Sequence, residues 1–174
     1  MNRFRTFLLS AALLACSAIT LADEAVRAVS VDAIRDNPAV LDGVTIVSTG
    51  QPDQAVLEAA RDAGFVAVVD LRTDSEDRGM DETAAVEAAG MKYVSIPVAG
   101  ASGVTFENAK LLDDALAGID GPVFLHCRTG NRVGALMALR ASAAGASDED
   151  AIAAGKAAGL GSLEAAVLTQ LDVK

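Results

Sequence analysis

Two kinds of apolar pattern alternate along the chain. The first is a set of short runs: Val44-Thr45-Ile46-Val47-Ser48, Phe65-Val66-Ala67-Val68-Val69-Asp70-Leu71, Tyr93-Val94-Ser95-Ile96-Pro97-Val98 and Val123-Phe124-Leu125-His126. They are rich in β-branched and aromatic residues, and the most continuous of them predict strands covered on both faces. The second pattern has helical spacing. Val56, Leu57 and Ala60 follow Pro52-Asp53, a second helix runs from Asp81 to Ala89, and Gly64 and Gly90 close these two. Thr105, with Asn108, opens a third, whose apolar face includes Leu111, Leu112, Ala115 and Leu116. Arg132 to Ala144 continues in the same register. Ser147 then caps a helix with Glu149 and Asp150 in its first turn, and Ser162 begins a last one carrying Leu163, Val167, Leu168 and Leu171. Strands alternating with helices through short turns predict an α/β fold. The expected core is a central, mostly parallel sheet of roughly four to five strands with helices on both faces.

That order decides where chemistry can sit, because parallel sheets bind ligands beyond the carboxyl ends of their strands. Asp70-Leu71-Arg72, Pro97-Val98 and His126-Cys127 all fall at such ends. Between them lie a charged loop, Arg72 to Gly79, and a run of small residues, Ala99 to Val104, that predicts a mobile loop over a site. Residues 23–41 are weakly patterned, with a helical turn over Asp32 to Asp36 stopped by Asn37-Pro38.

One stretch concentrates the reactive groups. The strand ending at His126 runs into Cys127-Arg128-Thr129-Gly130-Asn131-Arg132, and a helix follows. Strand, tight loop and helix N-terminus gather backbone N–H groups around an anion. Cys127 sits at the mouth of that cradle, beside an arginine, where a thiol is expected to act as a nucleophile. Arg132 lies where the helix macrodipole disfavours a cation, so it needs an anionic partner. The residues expected to bind the anion are Arg128, Thr129, Gly130, Asn131 and Arg132, chiefly through their amides. Arg128 points to solvent and steers. His126 sits on the opposite side of the strand and acts on Cys127 through packing.

The N-terminus changes the count of available thiols. Arg3 and Arg5, an apolar run from Phe7 to Ile19, and Thr20-Leu21-Ala22 before Asp23-Glu24 read as a signal peptide over residues 1–22, followed by a single domain over 23–174. The expected location is periplasmic or secreted. A competing reading makes Cys16, in Leu13-Leu14-Ala15-Cys16, a lipidated anchor. Cleavage at Ala22 leaves Cys127 the only cysteine, without a disulfide partner. It also removes Arg3 and Arg5, so 12 cationic side chains face 24 anionic ones, a net charge of −12. Such a chain, with no Trp, is not expected to bind nucleic acid, and it meets a membrane only if Cys16 is lipidated. One His and one Cys do not make a structural metal site, so neither metal nor cofactor is expected.

Gly50-Gln51-Pro52, Val69-Asp70-Leu71-Arg72 with Glu76, Ile96-Pro97-Val98 and Pro122 through Gly134 resemble the bacterial dual-specificity-like protein tyrosine phosphatases. The resemblance is narrower still to the branch related to the phosphatase-like domain of beta-lactamase-hydrolase-like proteins, and it covers about residues 44–145. It implies a Cys-based phosphatase fold, a cysteinyl-phosphate intermediate, no metal, and a structural pair between Arg72 and Glu76. The substrate would be a phosphorylated protein or a small phosphomonoester.

Two features depart from that pattern. Only four residues separate Cys127 from Arg132, where the family usually has five, and Val133 stands at the usual arginine position. The shorter spacing resembles rhodanese-type sulfurtransferases, in which a Cys127 persulfide would carry sulfur. The stretch from Ala99 to Phe106, where a general acid is usual, contains no acid. Glu107 and Asp70 are the nominated substitutes; Asp74 and Asp77 could also reach the site or be plain solvated charges. A non-catalytic phosphate-binding module is the third reading, supported by the missing acid.

Overall fold

A computed structural model describes residues 39–41 and 44–173. The expected signal peptide, Cys16 and the turn expected over Asp32 to Asp36 lie outside the described residues. Five strands form one sheet: β1 (Ala39–Leu41), β2 (Val44–Thr49), β3 (Ala67–Asp70), β4 (Lys92–Ser95) and β5 (Val123–His126), in the order β1-β2-β5-β3-β4. All neighbours are parallel except β1, an antiparallel edge on β2. Sequence patterning gives no sign of β1, a three-residue strand with no alternation to read. The other four strands are where the apolar runs place them: β3 and β4 are shorter than their runs, β5 matches its run, and β2 extends one residue past its own.

Among the described residues six α-helices surround the sheet: α1 (Gln54–Asp62), α2 (Glu82–Ala88), α3 (Phe106–Ala117), α4 (Asn131–Ala143), α5 (Asp148–Ala157) and α6 (Glu164–Leu171). Side-chain oxygens of Asp53, Asp81, Thr105 and Ser147 accept the amides of Val56, Ala84, Asn108 and Asp150, so four helices start where the sequence places a cap. The last helix begins at Glu164, two residues later than expected, after a turn through Ser162 and Leu163.

Strand alternation sorts the core into two layers. Ala67, Val69, Leu71, Val123, Leu125 and Cys127 face α3 and α4, where they meet Leu112, Leu116, Val133 and Leu136. Val68 and Phe124 face the other way, onto Val56, Leu57 and Ala60 of α1 and Val86 of α2. Phe124 and Leu57 are fully buried, each contributing on the order of 1.5–3 kcal/mol by area. A third cluster joins α3, α4, α5 and α6 through Ala109, Leu139, Leu160, Val167 and Leu171. Helix α4 is therefore buried nearly all round and shows little amphipathic signal.

Two details correct the sequence reading. Leu111 and Leu168 were assigned to apolar faces but are 48% and 44% exposed, because α3 and α6 pack through Ala109, Leu112 and Leu116 and through Val167 and Leu171. The run of small residues expected to be mobile is a 3-10 turn over Gly100–Gly103. Gly103 and Val104 are buried, and Ser102 Oγ donates to the Ala99 carbonyl, so local bonds tie this segment down.

Candidate active site

The loop between β5 and α4 is built by its neighbours as much as by its own residues. Cys127 N–H donates to the Thr49 carbonyl at 3.4 Å, Gln51 N–H to the Arg128 carbonyl at 3.3 Å, and Gly50 pairs with Thr129 in an isolated bridge. The end of β2 therefore clamps one wall. Gly130 takes φ +87°, a left-handed conformation that costs a side chain with a Cβ but not glycine. That turn aims its N–H at Cys127 Sγ, 3.2 Å away. The first-turn amides of α4 have no partner inside the helix and add to the ring of donors. Arg128 and Thr129 are exposed at the rim. Cys127 is 1% exposed, so it lies at the floor of the cradle, not at its mouth as the sequence suggested.

Arg132 enters from the first turn of α4. Its Nη1 donates to the carbonyls of Val98 (3.0 Å) and Leu71 (3.3 Å) and to Glu76 Oε1 (2.6 Å), while Nη2 donates to Glu76 Oε2 (2.8 Å). Three strand ends thus meet on one guanidinium: β3 through Leu71, the segment after β4 through Val98, and β5 through the loop. Glu76 supplies an anionic partner from within the fold, where the sequence reading pointed to a bound anion. Hydrogen bonds from Arg132 hold the Glu76 carboxyl down to about 2, with the Thr73 amide and Arg72 adding to the effect against a smaller opposing burial. In return, Glu76, with Cys127 adding to it, holds Arg132 above its ordinary range. A guanidinium has five N–H donors. The bonds on Nη1 and one on Nη2 leave the Nε–Nη2 edge of Arg132 without an oxygen acceptor among the described residues, Cys127 being its further neighbour, and that edge is the planar fork suited to two oxygens of an anion.

The pair expected between Arg72 and Glu76 is present at 3.2 Å, but Glu76 is shared between Arg72 and Arg132. Arg72 also donates to Gln51 Oε1 and to the Asp77 carbonyl. The sequence did not reveal this sharing. Its signal lay in the resemblance, which carried Gln51, Arg72 and Glu76 together.

The opposite layer holds a second cluster. Asp70 accepts from the Arg72 amide (2.7 Å), Arg78 Nε (2.6 Å) and Tyr93 Oη (2.8 Å), and is fully buried. Burial, then the bond to Asp70, raises the Tyr93 hydroxyl well above the usual phenol range. Burial works against the charge of Arg78, but Asp70 more than offsets it and holds Arg78 above its ordinary range. His126 Nε2 lies 2.8 Å from Glu82 Oε1 and 3.7 Å from Asp70 Oδ1, with its Nδ1 3.3 Å from the Cys127 carbonyl oxygen. The Gln51 amide donates to Glu82 Oε2 at 2.9 Å.

Ligand atoms of Asp70, Glu82 and His126 fall within 4.8 Å of one another, a grouping that a count of His and Cys alone did not foresee. The Arg78 guanidinium, bonded to Asp70 and 3.7 Å from Glu82, already supplies positive charge there. The cluster reads as a buried ion-pair network in which Glu82 Oε1 and His126 Nε2 face each other at ion-pair distance and neither makes a hydrogen bond among the described residues.

Several nominated residues are placed elsewhere. Asp70 faces this second cluster and has its oxygens taken, so it is not the general acid of Cys127. Glu107 is exposed in the first turn of α3, where it complements the helix dipole. The Asn131 side chain turns away from the cradle: its Oδ1 accepts the amides of Gly161 (2.9 Å) and Leu163 (3.4 Å), and its Nδ2 donates to Ser162 Oγ (2.7 Å). Only its backbone remains for an anion. Beside Arg128 a cavity of about 530 Å³ opens, lined also by Gln51, Arg72, Glu76, Asp77 and Arg78.

A parallel sheet whose inner strand ends in a thiol beneath backbone amides, with an arginine fork from the next helix, defines the Cys-based phosphatase fold. The sequence profile of the phosphatase-like domain of beta-lactamase hydrolase-like proteins matches residues 41–146, and the chain belongs to that family. It is 36% identical over 87 residues to a beta-lactamase hydrolase-like protein of Agrobacterium fabrum (strain C58), covering 48% of this chain and 20% of that protein. Against its Xylella fastidiosa (strain Temecula1) counterpart it is 36% identical over 97 residues, covering 52% and 22%. The chain therefore matches about a fifth of the length of these curated relatives. Among solved structures, a phosphatase candidate of Neisseria meningitidis Z2491 superposes with a TM-score of 0.66 at 22% identity, over 82% of this chain and 99% of that one. Tk-PTP in its active form superposes at 0.54 with 18% identity, over 78% and 93%.

Proposed function

We propose that the chain is an exported, cysteine-dependent phosphatase that hydrolyses phosphate monoesters through a cysteinyl-phosphate intermediate. The observation that carries this reading is the state of Arg132: two carbonyls and a carboxylate hold one side of its guanidinium, its Nε–Nη2 edge bonds no oxygen among the described residues, and Cys127 interacts with the same arginine. Cys127 Sγ attacks phosphorus in line and the ester oxygen leaves with the bonding pair. Arg132 and the loop amides hold the equatorial oxygens as charge builds on them. Water then attacks phosphorus and returns the electron pair to sulfur. The Gly130 amide at 3.2 Å stabilises the sulfur each time it carries charge. The substrate is a phosphorylated protein or a small phosphomonoester.

The four-residue gap between Cys127 and Arg132 favours a second reading, sulfur transfer through a Cys127 persulfide. Purified protein, kept reduced, is assayed in parallel on an aryl phosphate and on thiosulfate with cyanide. Phosphate release that is abolished in Cys127→Ser is the expected result. Thiocyanate formation without phosphate release would replace this reading with the second, and vanadate binding without either turnover would leave a phosphate-binding module.

A further inference from the structure

The loop before α3 supplies no acid, and its 3-10 turn holds none in reserve. A phosphatase with no proton donor forfeits a contribution of ~10²–10⁴ in rate on ordinary esters. The carboxylates around the site can be taken one at a time. Asp70 is fully buried with three donors on it, and Glu82 is 2% exposed against His126 and Gln51. Glu76 is committed to Arg132 and Arg72. Asp74 borders a different cavity, next to Tyr93 and Glu82, and Glu107 borders neither.

Asp77 is what remains. It lines the same cavity as Arg128, the residue that follows the nucleophile, and is exposed to it. Its position is fixed from both sides. The Arg72 guanidinium donates to its carbonyl at 2.7 Å, and its own Oδ1 accepts the Gly79 amide at 2.8 Å. Its sequence neighbour Glu76 grips the anion-binding arginine itself. A loop anchored on Arg132 by one residue therefore presents the next residue's carboxyl to the cavity, with Oδ2 unbonded among the described residues.

Resting on the phosphatase reading above, we propose that Asp77 is the general acid and base of the reaction, taking the part that the loop before α3 leaves unfilled. In the first step the ester P–O bond breaks as the S–P bond forms, and the Asp77 carboxyl gives its proton to the departing oxygen. In the second, the Asp77 carboxylate takes a proton from the water that attacks phosphorus, and the S–P pair returns to Cys127. The cycle consumes one water and yields one alcohol and one phosphate.

The test compares wild type with Asp77→Asn, Asp77→Glu and Glu107→Gln on 2,4-dinitrophenyl phosphate, whose leaving group needs no proton, and on phenyl phosphate, whose leaving group does. Asp77→Asn is expected to lose ~10²–10⁴ in kcat on phenyl phosphate and little on the dinitrophenyl ester, and to flatten the fall of kcat at high pH. Asp77→Glu is expected to recover part of the loss, and Glu107→Gln to change neither substrate. A uniform loss on both esters would make Asp77 a structural residue, and an unchanged ratio, or the selective loss appearing in Glu107→Gln, would overturn the assignment. Absence of turnover by wild type on both esters would instead sink the phosphatase reading, and the role of Asp77 with it.

Discussion

Two charged networks lie on opposite faces of the same strand ends, and they are built from similar parts to different purposes. On the Cys127 face, Arg132, Glu76 and Arg72 share hydrogen bonds; on the other, Asp70 accepts from Arg78 and Tyr93 while Glu82 lies at ion-pair distance from Arg78 and His126. Consecutive residues of one strand, His126 and Cys127, serve different networks because a strand alternates its side chains. Gln51 joins the two, accepting from Arg72 and donating to Glu82. The difference is in what each leaves over. The second network is shut off from solvent, with Asp70, Glu82 and His126 all 2% exposed or less. The first keeps one edge of a guanidinium unspent, facing the thiol. A buried ion pair is weak as a source of net stability but strong as a fixer of geometry. Here the fixing on one face serves an open edge, and on the other it serves the sheet.

The sharpest way to break this contrast is at Glu82. Removing one partner of a buried pair leaves its charge uncompensated, so Glu82→Ala is expected to cost ~3–5 kcal/mol in urea unfolding. The folded fraction should still bind vanadate as wild type does. Vanadate affinity that fell as far as in Cys127→Ser would show that the two faces are not separable. Arg132→Lys tests the other side. Lysine keeps the charge but not the fork, so kcat/KM on an aryl phosphate is expected to drop by ~10²–10³ while the midpoint of unfolding moves less than in Glu82→Ala.

Acid sharpens the comparison further. Glu76 has its carboxyl lowered from 4.5 to about 2, so the native state holds fewer protons than the unfolded chain between those values. Its contribution is full above pH 4.5 and disappears as pH falls through about 2, for a total of roughly 3 kcal/mol. Unfolding of wild type and Glu76→Gln followed from pH 6 to pH 2.5 should show the gap between them closing as the pH drops. A constant gap would mean that charge is not what holds Arg132. The smallest effect is expected at Asn131. Asn131→Ala deprives Gly161 and Leu163 of an acceptor and should cost about 1–2 kcal/mol. Hydrogen exchange should then quicken at residues 161–163 while vanadate binding changes little, because only the Asn131 amide belongs to the cradle.

Much of this arrangement was readable before any coordinates. Runs without polar alternation at Phe65 to Leu71 and Val123 to His126 marked the two innermost parallel strands, and caps at Asp53, Asp81, Thr105 and Ser147 marked the helix starts. That Arg132 needs a negative partner was legible because the first turn of a helix disfavours a cation. Other features were not, and the reasons are physical. Which acid meets Arg132 depends on a fold contact spanning 56 residues, and Asp70, Glu76 and Asp77 look alike in a charged loop. Asn131 stands in the middle of the signature, where its amide is assigned to the anion; only the geometry shows its side chain serving the segment 30 to 32 residues further on. Periodicity puts Leu111 and Leu168 on the apolar faces because each adjoins a buried residue of the stripe, Leu112 and Val167, yet each faces water.

Helix α4 meets the C-terminal segment with no side chain between: a Cβ on Gly134 would lie 2.0 Å from the Leu160 nitrogen and 2.7 Å from the Gly155 carbonyl oxygen. This contact, with the bonds of Asn131, bears on where the working unit ends. The family profile stops at residue 146, but the wall that backs the phosphate loop is made by residues 155–163. A shortened chain drawn at the profile's border would keep every reactive group and lose the buttress that fixes the helix carrying Arg132. Boundaries for expression or for grafting this unit into another protein belong beyond Leu171, where α6 completes the cluster around Leu160.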